Sequence, residues 1–321
     1  MRIKRPHWTT ALLATALLAT AGIGHTQPTT IKVVVPFPAG GVTDQAARVV
    51  SDKVATLLGQ TVVVDNRPGA GGRIGVDAVV KATPDGTTWL FTNTSYSILP
   101  VTDPKAGYDP LRSLLPVNLV ATYGLQIVTG QTVPVNSLGE FIAHARKQPG
   151  RLSYGSAGMG SGSHFAGEYF KSLTQTHLVH IPYKSTTGAL TDVAGGQLEL
   201  AFDASAAPLI NAGRVKLLAV TSAQRDTRFP NTPTAQEAGL RDFVLQSWVG
   251  YLAPVGTAPA VSDRFSKAVA EALKDPAVAK RLADMGLQLQ GQGPAGFADA
   301  IAGDVQLYRR IAVGANLRFD Q

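Results

Sequence analysis

Two doubly wound α/β lobes, joined by two hinge crossings with a cleft between them, are the fold this sequence predicts. Three observations carry that expectation. Short β-branched runs alternate with helical periodicity along most of the chain, the signature of parallel sheets covered by helices. One loop grammar, a strand followed by small residues and then a helix, occurs at 36–44 and again at 155–163. Two extended apolar stretches, 117–128 and 246–252, interrupt the alternation where a chain would pass to a second lobe and return. A length of 321 residues suits two domains of ordinary size. With 45% hydrophobic and 16% charged residues, disorder is excluded.

The N-terminus stands apart. Arg2, Lys4 and Arg5 precede an apolar run at 11–21 that closes on small residues, the layout of a secretory signal peptide cut near Gly24. That run falls short of the ~20 apolar residues of a membrane span. Without those three charges the balance drops from +7 to 26 basic against 22 acidic residues, or +4, with no Lys/Arg block. Nucleic acid is therefore not expected as a partner. The absence of Cys rules out a disulfide framework, a thiolate metal site and a lipidated cysteine. The resulting plan is a signal peptide at 1–24, a discontinuous first lobe at 28–124 plus 247–321, and a second lobe at 125–246 of an exported, periplasmic monomer.

Taken in order, 31–35 reads as a buried strand and 43–58 as a helix, with Ala46, Val50, Val54, Leu57 and Leu58 on one face and Gly59 as its stop. The strand 61–64 completes a right-handed βαβ unit with a parallel pair. A glycine-rich loop at 65–72 enters a helix near 74–81, and Pro84-Asp85-Gly86 turns into the strand 88–91. That strand ends in Thr92-Asn93-Thr94-Ser95, polar residues at a carboxyl end, where open α/β sheets present ligand contacts, Asn93 among them. The section 100–116 is rich in turn residues. The second lobe repeats the alternation: helix 138–147, strand 152–154, the glycine-serine loop, a helix from 164 to 173, strand 178–181, a helix to 194, strand 198–202, a short helix, and strand 215–220. Helices follow at 265–273 with Ser262 as N-cap, at 276–285, and from 294.

Helix starts leave backbone N–H groups unpaired and attract anions. Two such loops facing across a cleft suggest a bound carboxylate. In the first loop, Gly40 and Gly41 let the backbone approach a ligand and Thr43 adds a hydroxyl, while the plainer alternative has Asp44 capping the helix and pairing with Arg48. The second loop interleaves Gly155, Gly158, Gly160 and Gly162 with Ser156, Ser161 and Ser163. It matches neither the Walker nor the dinucleotide pattern. Tyr183 and Lys184 end a strand toward the cleft, and Trp248 either packs the hinge or touches ligand. Ser156, His164 and Asp203 can be drawn as a hydrolase triad, with Ser156 or Ser161 as nucleophile, but no serine sits in a G-x-S-x-G elbow. His177 and His180 fall on opposite strand faces and no H-E-x-x-H occurs, so neither metal nor cofactor is expected.

Val34-Val35-Pro36-Phe37-Pro38-Ala39-Gly40-Gly41-Val42-Thr43-Asp44, Asn66-Arg67-Pro68-Gly69-Ala70-Gly71-Gly72, Tyr154-Gly155-Ser156-Ala157-Gly158-Met159-Gly160-Ser161, His180-Ile181-Pro182-Tyr183-Lys184 and Pro233-Thr234-Ala235-Gln236-Glu237-Ala238-Gly239 closely resemble the Bug/TctC family. These are the periplasmic solute-binding proteins of tripartite tricarboxylate transporters, and the resemblance runs from about Ile31 to the C-terminus. It implies a type II periplasmic-binding-protein fold that closes on a small carboxylate-bearing solute, for delivery to membrane permease subunits and without catalysis. It implies contacts from Phe37, Ala39, Gly40, Thr43 and Asp44 in the first loop. In the second it implies Ser156, Ala157, Gly158, Gly160, Ser161 and His164. Asp203 matches the family's cleft aspartate, suited to an ammonium or hydroxyl group of the ligand. Ser185 departs from the usual Gly, and Ala204-Ser205-Ala206-Ala207 is blander than the family's segment; both touch ligand identity rather than fold. A ligand sensor for a signalling receptor and a secreted hydrolase are the alternatives.

Overall fold

The computed structural model describes residues 30–317. The signal peptide expected at 1–24 lies outside them. None of the described helices is long and apolar enough to cross a membrane.

The first lobe starts with β1 (Ile31–Val35), α1 (Val42–Leu58) and β2 (Val62–Asn66), with β1 and β2 parallel as the βαβ reading requires. Ala46, Val50 and Val54 of α1 are fully buried, and Gly59 ends it in the left-handed region at φ 64°. Leu57 is 42% exposed instead of joining that face. It lies in the last turn before Gly59, where only Leu58 still packs against the core. A short turn (Ala70–Gly72) and α2 (Arg73–Val80) lead to β3 (Thr88–Asn93).

An unexpected helix, α3 (Ser95–Thr102), spans the polar strand end and the start of the turn-rich section 100–116, with Pro100 inside it. Chain 117–128, expected as one crossing, is two strands: β4 (Leu114–Gly124) in the first sheet and β5 (Gln126–Gly130) in the second, with Leu125 between them. The second lobe holds α4 (Leu138–Arg146), β6 (Ser153–Ser156), α5 (Gly162–Thr174), β7 (Val179–Pro182), α6 (Thr186–Ala194), β8 (Leu200–Asp203), α7 (Ala207–Asn211) and β9 (Val215–Val220). Its sheet order is β7-β6-β8-β5-β9. The chain returns through β10 (Gln246–Pro254), then α8 (Pro259–Ala272), α9 (Pro276–Asp284), β11 (Gln288–Gln292) and α10 (Pro294–Gly314). Ser262 does not cap α8; it lies inside, because Pro259 opens the helix after Ala258.

The first sheet runs β11-β4-β10-β3-β1-β2. The βα strands pair in parallel, but β10 is antiparallel to both β3 and β4, and β5 is antiparallel to both β8 and β9. The sheets are thus mixed, because each crossing enters its sheet against the direction of the βα units. Thr221 laces the crossings together: its hydroxyl donates to Leu245 O at 2.6 Å and accepts from Leu125 N–H at 2.8 Å.

Helix α10 packs on both lobes. Phe297 and Ile301 join the core that holds Val34, Leu90 and Trp248, whereas Tyr308 and Ile311 join the one that holds Phe141, Phe165 and Phe170. Between these halves, Asp304 accepts the Trp248 indole N–H at 2.6 Å. Trp248 therefore packs the hinge. Burial pushes the Asp304 carboxyl up to about 7, against the lowering pull of that hydrogen bond. An acid whose folded value exceeds its unfolded one contributes less stability as pH rises between the two. Unfolding free energy should accordingly fall by roughly 2–4 kcal/mol from about pH 4 to pH 7 through this one group. Asp304→Asn, which keeps an acceptor for the indole, should flatten that slope in melts taken across this range; an unchanged slope would assign it to other groups.

Candidate functional site: an interlobe cleft with two chambers

The cleft lies where the strands of both lobes end. Its main chamber, about 460 Å³, is walled by Phe37, Pro38, Asn93, Thr94, Ser95, Ile98 and Tyr123 on one side and Ala157, Ser161, Gly162, Ser163, Phe202 and Asp203 on the other. Ser247 from β10, Ser185 and Thr186 also line it. The lobes come within contact at the rim, where a Cβ on Gly160 would sit 3.1 Å from Thr102 Cβ.

The first loop is built on Asp44. Its carboxylate, buried at 2% exposure, accepts from the Gly40 N–H at 2.8 Å, the Asn66 amide at 2.9 Å and the Arg48 guanidinium at 3.0–3.1 Å. Burial alone would raise this carboxyl, but those hydrogen bonds and the Arg48 charge hold it below its ordinary range. Asp44 thus turns inward and fixes the loop. Thr43 is buried and accepts from the Asn93 amide at 3.0 Å. Ala39, Gly40 and Gly41 are exposed and stand outside the chamber walls, leaving Phe37 and Pro38 as the part of this loop that reaches them. The helix foot that the first lobe presents to the chamber is that of α3, through Thr94 and Ser95, rather than that of α1.

In the second lobe the loop spends most of its donors on itself. Ala157 N–H bonds Ser163 Oγ, Gly158 N–H bonds Ser156 Oγ, and Gly160 N–H bonds His164 Nδ1, at 2.9–3.1 Å. Ser161 caps α5, accepting from the His164 N–H at 3.2 Å. The N–H groups of Gly162 and Ser163, in the first turn of α5, have no acceptor in their own helix, and both residues line the chamber.

Beneath the loop, Ser156 is fully buried and 2.6 Å from His180 Nε2. His180 stacks between His164, at 4.3 Å, and Tyr154, at 5.0 Å. Burial and the neighbouring His164 push His180 down to about 4, and burial also lowers His164, so both rings are neutral at pH 7. Tyr154 donates to Glu168, which also takes the Lys171 ammonium. No triad forms from Ser156, His164 and Asp203, because Ser156 bonds His180 and Asp203 is held by the N–H and hydroxyl of Ser205. Tyr183 faces away from the chamber and donates to Asp192, with its phenol raised to about 12 by burial and that carboxylate.

The residues expected from sequence thus divide. Phe37, Asn93, Ala157, Gly160, Ser161 and Asp203 line the cleft; Thr43, Asp44, Ser156, Gly158, His164 and Tyr183 support its walls from behind. Sequence reasoning missed Ile98, Tyr123 and Ser247; Ser95, Gly162 and Ser163 lie in stretches it marked as a polar strand end and a donor-rich loop, without singling them out as contacts. Within the described residues no cluster of His, Cys, Asp or Glu suits a metal ion.

Two α/β lobes with helix feet on opposite walls of a cleft define a bilobed solute-binding protein. The sequence model for the tripartite tricarboxylate transporter family receptor, TctC, matches residues 46–312, and the chain belongs to that family. The solved periplasmic binding protein BugD is 32% identical, with a TM-score of 0.78 over 90% of this chain and 98% of its own. Rpa4515 from R. palustris, solved with adipate, is 30% identical, with a TM-score of 0.82 over 91% of this chain and 99% of its own. MatC from Rhodopseudomonas palustris, with bound malate, is 30% identical, with a TM-score of 0.77 over 88% and 98%. The fold is the two-lobed one of periplasmic binding proteins.

Proposed function

We propose that this protein is exported through its N-terminal signal peptide, captures a small carboxylate-bearing solute between its lobes as a monomer, and presents it to the membrane permease subunits of a tripartite tricarboxylate-type transporter. The single observation that carries this reading is the facing of the α3 and α5 feet across a chamber of about 460 Å³. Helix N-termini favour anions, and relatives of this fold hold adipate and malate. A solute carboxylate would take the N–H groups of Gly162 and Ser163 and the Ser95 hydroxyl, with Phe37 and Ala157 covering its apolar part. Asp203 would take a hydroxyl or ammonium of the solute. Lobe 28–124 plus 247–321 and lobe 125–246 would close on it by turning about the crossings near Thr221, excluding water so that each polar group of the solute must find a partner.

No catalysis is proposed, since the serine nearest a histidine is sealed from the chamber. Melting the protein with a set of small carboxylates tests the reading. A ligand at 100 times its Kd should add about 2.7 kcal/mol of stability, and matched amides should add little. A panel in which no acid raises the melting temperature would remove the proposal. Turnover of an ester, lost in Ser156→Ala or Ser161→Ala, would replace it with a hydrolase.

A further inference from the structure

Past the wall formed by Phe37, Ser95, Ile98 and Ser161 lies a second chamber of about 440 Å³. Leu99, Pro68 and Met159 make it apolar, and Met159 is 59% exposed at its mouth. Among the described residues, Lys184 is the only cationic side chain that lines either chamber. No hydrogen bond or ion pair among the described residues engages its ammonium group, whereas Arg48 is committed to Asp44 and Lys171 to Glu168. Its root is fixed. The preceding Tyr183 donates its N–H to Ser156 O at 2.9 Å and its hydroxyl to Asp192, so the lysine starts from a set point beside the glycine-serine loop. The main chamber has the opposite polarity, with Asp203 as its one carboxylate.

Resting on the function proposed above, we propose that the second chamber is a distal subsite in which Lys184 receives a second anionic group of the solute, making dicarboxylates with an aliphatic spacer the favoured cargo. One carboxylate sits at the helix feet, the spacer crosses Ile98 and Leu99, and the second carboxylate reaches the ammonium. Among the described residues, the main chamber is lined by no cation and already holds Asp203 and the first carboxylate, so a second anionic group is repelled there and goes to Lys184. A charge-assisted hydrogen bond formed as the lobes close is worth roughly a factor of ten in affinity.

Calorimetric titration with matched pairs of acids, succinate against butyrate, glutarate against pentanoate and adipate against hexanoate, reads this directly. In the wild type the best diacid should bind about tenfold tighter than its monoacid. Lys184→Met should bring that ratio close to one while leaving the monoacid Kd and the melting temperature of the free protein unchanged, and Lys184→Arg should keep most of it. Equal binding of both members of every pair by the wild type, or an equal loss for both in Lys184→Met, overturns the subsite and leaves carboxylate capture standing. No binding by any of these acids removes both.

Discussion

Gly167→Ala should destabilise the protein by about 3 kcal/mol, at the upper end of what overpacking a core costs. A Cβ at this position of α5 would lie 2.0 Å from Tyr154 Cε2 and 2.3 Å from its Cζ. The ring has nowhere to go: it stacks on His180, meets Phe202 edge-on at 6.3 Å, and is tied through its hydroxyl to Glu168 at 2.7 Å. Displacing Tyr154 would disturb the stacked imidazoles that hold Ser156 and Gly160, so solute affinity should fall along with stability. Chemical denaturation measures the first effect and calorimetric titration the second. A loss below about 1 kcal/mol would mean that the ring can rotate out of the way.

Asp44→Ala should remove about 2–3 kcal/mol at neutral pH. Its carboxylate is the shared acceptor for the Gly40 N–H, the Asn66 amide and Arg48, and deleting it strands donors in a buried setting. The figure is set below that for a fully buried ion pair because the Arg48 side chain is 46% exposed. The carboxyl is held below its unfolded value of about 3.9. Its contribution is therefore complete above that value and is lost as pH falls through the lower, folded one. Wild type and variant should differ most at pH 6–7, and their unfolding free energies should converge in strong acid. A gap that persists unchanged at low pH would assign the loss to the shape of the loop instead of the charge.

The βα grammar was legible because it is written in local signals. The apolar runs of β1 and β9, the stop at Gly59 and the Pro-opened helices α9 and α10 need only neighbours a few residues away to be recognised. Helix α3 was not legible: Ser95-Tyr96-Ser97-Ile98-Leu99-Pro100 carries an internal proline and little polar contrast. Strand β11, Gln288-Leu289-Gln290-Gly291-Gln292, has one apolar side chain among glutamines and a glycine, too faint a signal alone, and gains its place by pairing with β4. At the site the loops were found but their wiring was not. Composition marks a donor-rich loop and says nothing of which N–H groups are already satisfied. Gly158 and Gly160 bond within the loop while Gly162 and Ser163 start the helix, a distinction made by the exact turn at which α5 begins. Ser156 and His180 are 24 residues apart and meet only because β6 and β7 are neighbours in register.

The last helix answers to two hydrophobic interiors at once. Trimming the chain back from its end would strip Tyr308 and Ile311 from one and then Phe297 and Ile301 from the other, so what looks like a tail in the sequence serves as a clasp in space.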